Sequence, residues 1–377
     1  MNYKNAMLFC EDFTFRNGGF STENGKFSNV LKETEDAVDL HGAYVIPGLI
    51  DVHNHGNSGA DFSDGDYDGT LRMARYLAAN GVTSFVPATL TLPYEAIGKA
   101  LSIGLRIKSE APAGASRLLG VHMEGPFFSA KKKGAQNEEY LHLPDYPAFK
   151  KLYDASGGLI RIVDVAPELE GAADFIRQAC RDCTVSIAHT NASYDEAKTA
   201  IAAGVTHLTH LYNAMPSLHH RNPGVITAAA ESEKVRAEVI CDGMHVHPAM
   251  IRLAFQIFGP ERMILVSDAL RCCGMPDGAY MLAGQTAYLR GNVAKLADGT
   301  LAGSATNLYQ CMQNAIAFGI PAPDAIRAAT WNPACAIGAE REVGSISDGK
   351  YADFVICDEK FRRQAVYLNG GRLLQES

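Results

Sequence analysis

Val45-Ile46-Pro47-Gly48-Leu49-Ile50-Asp51-Val52-His53-Asn54-His55-Gly56 is the stretch on which the reading of this chain turns. It is an apolar run that ends in two imidazoles. Strand side chains alternate between faces, so His53 and His55 point the same way and can converge on one ion. Gly56 then lets the chain turn. Two histidines alone are also compatible with buried rings satisfied by hydrogen bonds, so a metal reading requires further ligands from elsewhere in the chain.

Working outward, the region from Pro47 to about Glu340 repeats a short β-rich run followed by an Ala-rich helical segment. Eight runs are read: Gly48–His55, Thr83–Thr89, Leu118–Gly125, Ile160–Glu168, Thr184–Asn191, His207–Asn213, Glu238–His245 and Met263–Ala269. Alternation of this kind predicts the α/β class, and eight units predict a (β/α)8 TIM barrel over residues 47–341. Functional groups of such a barrel sit at the carboxyl ends of its strands. The polar residues obey that rule, because His53, His55, Glu124, His189, His210, His245 and Asp268 all fall late in their runs. Residues 1–46 and 342–377 differ: short apolar runs there are separated by Gly, Asn and Asp, as in Gly344-Ser345-Ile346-Ser347-Asp348-Gly349-Lys350-Tyr351-Ala352-Asp353-Phe354-Val355-Ile356. They read as a small β-sandwich domain formed by both termini, flanking the barrel and carrying no catalytic chemistry.

The 377 residues are 47% hydrophobic and 20% charged, enough for one large domain with an accessory piece. A net charge of −8 argues against a nucleic-acid partner, which needs a basic footprint. The opening residues lack a basic segment followed by an apolar run, and no apolar stretch is of membrane length. The expectation is a cytoplasmic protein with no membrane partner. Nine scattered cysteines read as reduced thiols. Cys180-Arg181-Asp182-Cys183 has C-x-x-C spacing but no second pair, and the adjacent Cys272-Cys273 does not suit a disulfide.

His122-Met123-Glu124-Gly125-Pro126-Phe127-Phe128 ends the third run with a carboxylate able to bind one ion or bridge two. His189 ends the fifth run, His210 lies in the sixth, and Asp268 lies in Leu265-Val266-Ser267-Asp268-Ala269. Together with His53 and His55 they form a donor set suited to zinc or another divalent transition metal. Asp268 has a separate argument: a metal-bound water needs a carboxylate to take its proton and later give it to a departing amine. A purely structural ligand or salt bridge is the alternative for that residue.

At these residues the chain resembles the amidohydrolase superfamily and, within it, the N-acetylglucosamine-6-phosphate deacetylase family. The resemblance spans nearly the whole length and rests on Pro47–Gly56, His122–Phe127, Ala188-His189-Thr190, Thr209-His210-Leu211-Tyr212-Asn213-Ala214-Met215, Asp242-Gly243-Met244-His245, Ser267-Asp268-Ala269 and Gly299-Thr300-Leu301-Ala302-Gly303-Ser304. His-x-His alone indicates the superfamily, whereas Glu-Gly-Pro with His-Leu-Tyr-Asn-Ala-Met is much more specific. The resemblance implies a principal metal on Glu124, His189 and His210. His53 and His55 add the capacity for a second ion, with Glu124 bridging and Asp268 beside it. One or two divalent ions per subunit are implied, zinc foremost, with iron, manganese and cobalt as the other candidates. The implied reaction is hydrolysis of the acetamide of N-acetylglucosamine 6-phosphate to glucosamine 6-phosphate and acetate. Metal-bound hydroxide attacks, Asp268 acts as general base and then acid, and no covalent enzyme intermediate is required.

The phosphate of such a substrate needs donors away from the metal, for which the resemblance offers Arg221, His245 and the backbone N–H groups of Asn213 and Ala214. The loop His219-His220-Arg221-Asn222-Pro223-Gly224 could reach its own pocket or that of a neighbouring subunit, and a homodimer is implied. Lys131-Lys132-Lys133 reads as a solvated run that could help attract the anion. Two departures stand out. Where the family commonly has a histidine that helps to contact the substrate carbonyl, this chain has Gln136, which can donate a hydrogen bond but cannot be cationic. Arg271-Cys272-Cys273 replaces expected small residues and puts a cation near the pocket. Three alternatives therefore stay open: another N-acyl sugar phosphate such as N-acetylgalactosamine 6-phosphate, a cyclic amide or N-acyl amino acid, and a non-catalytic sugar-phosphate sensor.

Overall fold

The computed structural model describes residues 1–32, 34, 36–282 and 284–374. Eight parallel strands follow one another in sequence order. They are β1 (Leu49–Asn54), β2 (Val82–Pro87), β3 (Arg117–Leu118 resuming as Val121–Met123), β4 (Ile160–Val165), β5 (Thr184–Ile187), β6 (His207–Leu208), β7 (Arg236–Ile240) and β8 (Met263–Val266). Each pairs with its successor, from Leu49 opposite Val82 to Ile240 opposite Val266. The break in β3 falls at Leu119-Gly120, so its first half pairs with β2 and its second with β4, while a bridge from Ala88 to His122 keeps the two sheets in register. Gly120 is needed there because a Cβ would lie 2.1 Å from Arg161 Cγ. The last strand meets the first through backbone hydrogen bonds: Asp268 N donates to His53 O at 2.9 Å, and His55 N donates to Ala269 O at 2.8 Å.

These strands are β-branched and buried on both faces, as parallel strands covered by helices must be. Alternate residues separate into two apolar clusters. Ile50, Val52, Val86, Ile162, Ile240, Ile264 and Val266 pack together with Ala334, Ile337 and Val343, whereas Phe85, Val163, Val239 and Leu265 join helix residues such as Ile251 and Phe255. At least one helix follows every strand. Tyr194–Ala203 shows why they start where they do: the Ser193 side chain accepts from Glu196 N, Glu196 reaches back to the Ser193 backbone, and Gly204 ends the helix.

Both termini enter one eight-stranded sheet, in which Phe354–Cys357 pairs antiparallel with Tyr44–Pro47. Its apolar face is aromatic. Tyr3 stacks on Phe20 at 4.8 Å, Phe354 stacks on Tyr367 at 4.3 Å, and Phe20 meets Phe354 edge-on at 5.1 Å. Tyr44–Pro47 leads through Gly48 straight into β1, so the terminal sheet holds the first strand of the array.

One piece was not anticipated by the repeating pattern. Between β8 and the helix Leu308–Ala317 the chain makes a three-stranded antiparallel sheet, Gly278–Leu282, Gln285–Arg290 and Val293–Leu296. The turn Gly291-Asn292 and the alternation around it carry the hairpin signal. The sheet packs Leu282, Ala287 and Leu289 against Leu90, Leu270 and Cys272. Phe354→Ala should destabilise the protein by about 3–5 kcal/mol, because it removes the ring at the centre of the terminal aromatic cluster. Denaturant titration of the purified variant against wild type checks this.

Candidate active site

The predicted runs overshoot the strands because the chain leaves the ladder just where the functional residues begin. Glu124 follows the last residue of β3, while His189, His210 and Asp268 each stand two residues beyond β5, β6 and β8. These three take left-handed backbone conformations, with φ of 42°, 32° and 45°. Such φ values cost on the order of 1–3 kcal/mol each in residues other than glycine and persist only where the surroundings enforce them. Backbone hydrogen bonds supply that enforcement. Ser304 N donates to Asp268 O at 2.7 Å, Ser129 N to His189 O at 3.0 Å, and Leu211 N to Glu238 O at 2.8 Å. Gly303 belongs to the same clamp, since a Cβ there would meet Asp268 O at 2.6 Å.

The result is a convergent donor set around the Glu124 carboxylate, which is 2% exposed. His189 Nε2 and His210 Nε2 each lie 3.2 Å from Glu124 Oε1 and 3.1 Å from one another. His55 Nε2 lies 3.2 Å from Glu124 Oε2 and 3.3 Å from Asp268 Oδ1, and His53 Nε2 lies 3.6 Å from both Glu124 Oε1 and Asp268 Oδ1. A tetrahedral ion with ligands at about 2.0 Å separates neighbouring donors by about 3.3 Å, which is the spacing of the Glu124, His189 and His210 triangle. His53 Nε2 is buried without a hydrogen-bond partner, as expected of a lone pair reserved for a cation. Both Glu124 with His189 and His210, and Glu124 with His53 and His55, bring their ligand atoms within 4.8 Å of one another. The residues present fit one divalent ion at the first set and a second beside it.

Outer hydrogen bonds decide which ring nitrogen faces inward. His53 Nδ1 donates to Glu238 Oε2 at 2.9 Å and His189 Nδ1 donates to Lys132 O at 2.8 Å, which leaves both Nε2 atoms as acceptors. Phe128 stacks on His189 at 4.4 Å and holds its plane. Glu238, fully buried, also accepts from His207 Nε2 at 2.9 Å and His210 N at 3.2 Å. Sequence reading passed over Glu238 and Asp164. The signal available was an acidic residue inside an apolar strand, Ala237-Glu238-Val239-Ile240 and Ile162-Val163-Asp164-Val165. His122 bonds Asp164 Oδ1 at 3.0 Å through Nε2 and Val52 O at 3.2 Å through Nδ1, so it belongs to a buried pair outside the donor set.

Burial would raise the Glu124 carboxyl, but the charge of His55 and the hydrogen bonds of His189 and His210 hold it well below its ordinary range. Glu238 behaves likewise: burial is outweighed by the hydrogen bonds it accepts from His207 and His53. His210 moves the other way. Burial opposes the imidazolium of His210, yet the Glu124 hydrogen bond and charge push it up to about 9.

This cluster forms the floor of a cavity of about 380 Å³. Gln136, Asn213, Ala214 and His245 line it, and so do Lys131 and Lys132. Gln136 Nε2 donates to Glu124 Oε2 at 2.6 Å, and Gln136 Oε1 accepts from Thr91 N at 2.8 Å, so the amide acts on the metal-binding carboxylate. Asn213 N is already spent on His210 O at 2.9 Å. His245 bonds Asp242 Oδ2 at 2.6 Å and Ala302 O at 2.8 Å, both acceptors, so its ring holds two protons and a positive charge. Arg221 stands apart, on an exposed loop outside the cavity lining. Arg271 pairs with Asp64 Oδ1 at 2.7 Å and lines a neighbouring cavity. Cys272 and Cys273 are buried thiols pushed up by that burial to about 11 and about 12, which makes them unreactive. Cys180 and Cys183 are free, and no cysteine joins a metal-holding group among the described residues.

Comparison with known proteins agrees with this geometry. The family model described as "Amidohydrolase family" matches residues 44–373. An N-acetylglucosamine-6-phosphate deacetylase of Bacillus subtilis is 36% identical over 363 residues, covering 94% of this chain and 92% of that protein. The chain belongs to the amidohydrolase family, in its N-acetylglucosamine-6-phosphate deacetylase branch. A structure of the Mycobacterium smegmatis N-acetyl-D-glucosamine-6-phosphate deacetylase, a mutant in complex with N-acetyl-D-glucosamine-6-phosphate, superposes with a TM-score of 0.92 at 32% identity, covering 99% of this chain and 98% of that one. An N-acetylgalactosamine-6-phosphate deacetylase of Escherichia coli O157:H7 is 35% identical over 327 residues, or 86% of each chain. The resemblance read from the sequence motifs is borne out, and amidohydrolases are metal-dependent hydrolases.

Metal binding should therefore compete with protons. Against burial, the Glu124 carboxylate holds protons on His210 and His55 above the ordinary imidazole range, so binding near neutral pH displaces protons, and apparent affinity should rise with pH above neutrality. Calorimetric titration of the ion-free protein with zinc, in buffers of different ionisation enthalpy, measures the protons released.

Proposed function

We propose that this chain is a metal-dependent deacetylase of N-acetylated amino-sugar 6-phosphates, with N-acetylglucosamine 6-phosphate as the leading substrate. The observation that carries this reading is the Glu124-centred donor set, with Asp268 Oδ1 at its edge, on the floor of a cavity whose walls present His245 and the backbone of Ala214. Among the described residues Ala214 N–H has no hydrogen-bond partner, so it is free to donate to a phosphate oxygen. We further propose that the parallel strands form a closed (β/α)8 barrel spanning residues 47–341, that residues 1–46 and 342–377 form a small β-domain built on the single terminal sheet rather than the expected sandwich, and that the enzyme works in the cytoplasm as a homodimer. No helix among the described residues is long and apolar enough to cross a membrane.

A divalent metal, zinc foremost, would be held by Glu124, His189 and His210, with His53, His55 and Asp268 offering a second position, and it supplies Lewis acidity at the acetamide carbonyl and makes water a stronger acid. Asp268 Oδ1 accepts the proton of the attacking water and returns it to the amine nitrogen as the C–N bond breaks. Burial opposes ionisation of Asp268, but its hydrogen bond with His55 and the positive charge gathered at the donor set hold it below the ordinary carboxylate range, so it starts as the carboxylate that a base must be. His245 places positive charge on the cavity wall, and the Asp242 carboxylate fixes its ring. Gln136 orients Glu124 through its amide. Arg221, exposed and outside the cavity of its own subunit, is assigned to the phosphate of a substrate bound in the partner subunit. The relative acting on N-acetylgalactosamine 6-phosphate is nearly as similar as those acting on the gluco sugar, which makes the galacto substrate the second reading.

Acetate release from both sugar phosphates by the metal-loaded protein tests the assignment, and folded, metal-bound protein that releases none from either would overturn it. Asp268→Asn should keep its principal metal and lose kcat by about 10²–10⁴-fold. Arg221→Ala should raise KM with kcat nearly unchanged, and mixing it with Asp268→Asn protein should recover activity at low substrate, since a mixed dimer carries one complete site.

A further inference from the structure

At the opposite end of the strand array from the candidate active site, a separate cavity of about 490 Å³ lies among the first residues of the strands and the helix Trp331–Ala336. Thr184, Thr206 and Arg236 line it from the starts of β5, β6 and β7, and Lys234, Arg327 and Trp331 complete a cationic wall. Arg262 also reaches it, but that guanidinium is saturated by backbone carbonyls, including Ser232 O at 2.6 Å and Ala230 O at 3.2 Å. Arg236 differs. Its Nε is buried with no hydrogen-bond partner, and it enters no ion pair among the described residues.

Arg327 is barely better supplied. Its Nε donates to Asn332 Oδ1 at 3.3 Å and its guanidinium lies 4.0 Å over the Phe13 ring, neither of which neutralises it. Burial and the positive charge of Arg236 pull Arg327 below the ordinary arginine range, against the nearby carboxylates of Glu261 and Asp324. The acidic groups that line the cavity, Glu233 and Glu261, are exposed and free to turn toward water. Two half-buried guanidiniums facing one space, neither in an ion pair among the described residues, are costly unless something anionic completes the arrangement. Their planar forks match the tetrahedral oxygens of phosphate, and Trp331 and Thr206 line the same space. The volume exceeds that of a bare phosphate and falls within the range of small-metabolite sites.

We propose that this cavity binds a small phosphate monoester, its phosphate held by Arg236 and Arg327, at a site separate from the one that contains Glu124. Trp331 is the chain's single tryptophan and lines this cavity, so its emission reports on this neighbourhood and not on the Glu124 site. The full-length, metal-loaded protein is titrated with inorganic phosphate and, in a second arm, with glucose 6-phosphate, which carries no acetamide, while Trp331 emission is followed. The expected result is a saturable change in both arms, at lower concentration for glucose 6-phosphate, with the midpoint raised about tenfold or more in Arg236→Gln and unchanged in His245→Ala. Failure to saturate below about 10 mM in either arm overturns the proposal. So does a midpoint unaffected by Arg236→Gln, or a signal that disappears in His245→Ala. Inorganic phosphate binding as tightly as glucose 6-phosphate overturns the monoester assignment. If Arg236→Gln fails to fold, Arg236→Lys keeps the charge and stem but loses the fork; a severalfold weaker midpoint supports the site, and an unchanged one overturns it.

Discussion

A carboxylate with almost no exposure, approached by four imidazoles, is the constraint to which the rest of this molecule answers. Burying the charge of Glu124 costs several kcal/mol unless compensating groups stand close. Those groups come from β1 and from the ends of β5 and β6, so no local segment can assemble them. The array must bring separate strands into register, and left-handed residues must end those strands at the right step. Outer acceptors such as Glu238 and the Lys132 carbonyl then select the ring nitrogen that turns inward. Each requirement is met by a different part of the chain, and each fails without the others.

Much of this was legible in the residues because the barrel rule ties chemistry to strand ends. His53, His55, Glu124, His189, His210 and Asp268 could be brought together from order alone, since successive parallel strands place their carboxyl ends on one rim. Strand limits were less legible. A run such as Ile160–Glu168 continues apolar past Val165, and hydrophobicity does not reveal where the backbone turns away from the ladder. The three-stranded insertion was hidden for a related reason: its weak alternation sits inside a stretch already claimed by a repeating unit.

The site residues divide in the same way. Glu238 is invisible to motif reading because its partners, His53 and His207, are distant in sequence and meet only after folding. Gln136 lines the cavity, but its amide is committed to Glu124 and Thr91, a pairing that depends on how the loop after β3 closes. Arg221 could not be placed from spacing, because an exposed loop obeys no periodicity. Function here was more readable than geometry: the kinds of side chain name the chemistry, whereas the contacts decide what each one does.

The pairing of Phe354–Cys357 with Tyr44–Pro47 has a consequence for the birth of the molecule on the ribosome. Strands laid down at the start of synthesis wait for a partner that emerges some three hundred residues later, and throughout that interval the edge of Tyr44–Pro47 and much of the aromatic face remain uncovered. Late closure of this kind makes for slow folding and a long exposure to misassociation. The nascent chain is thus most vulnerable in the terminal sheet, outside the donor set that does the chemistry.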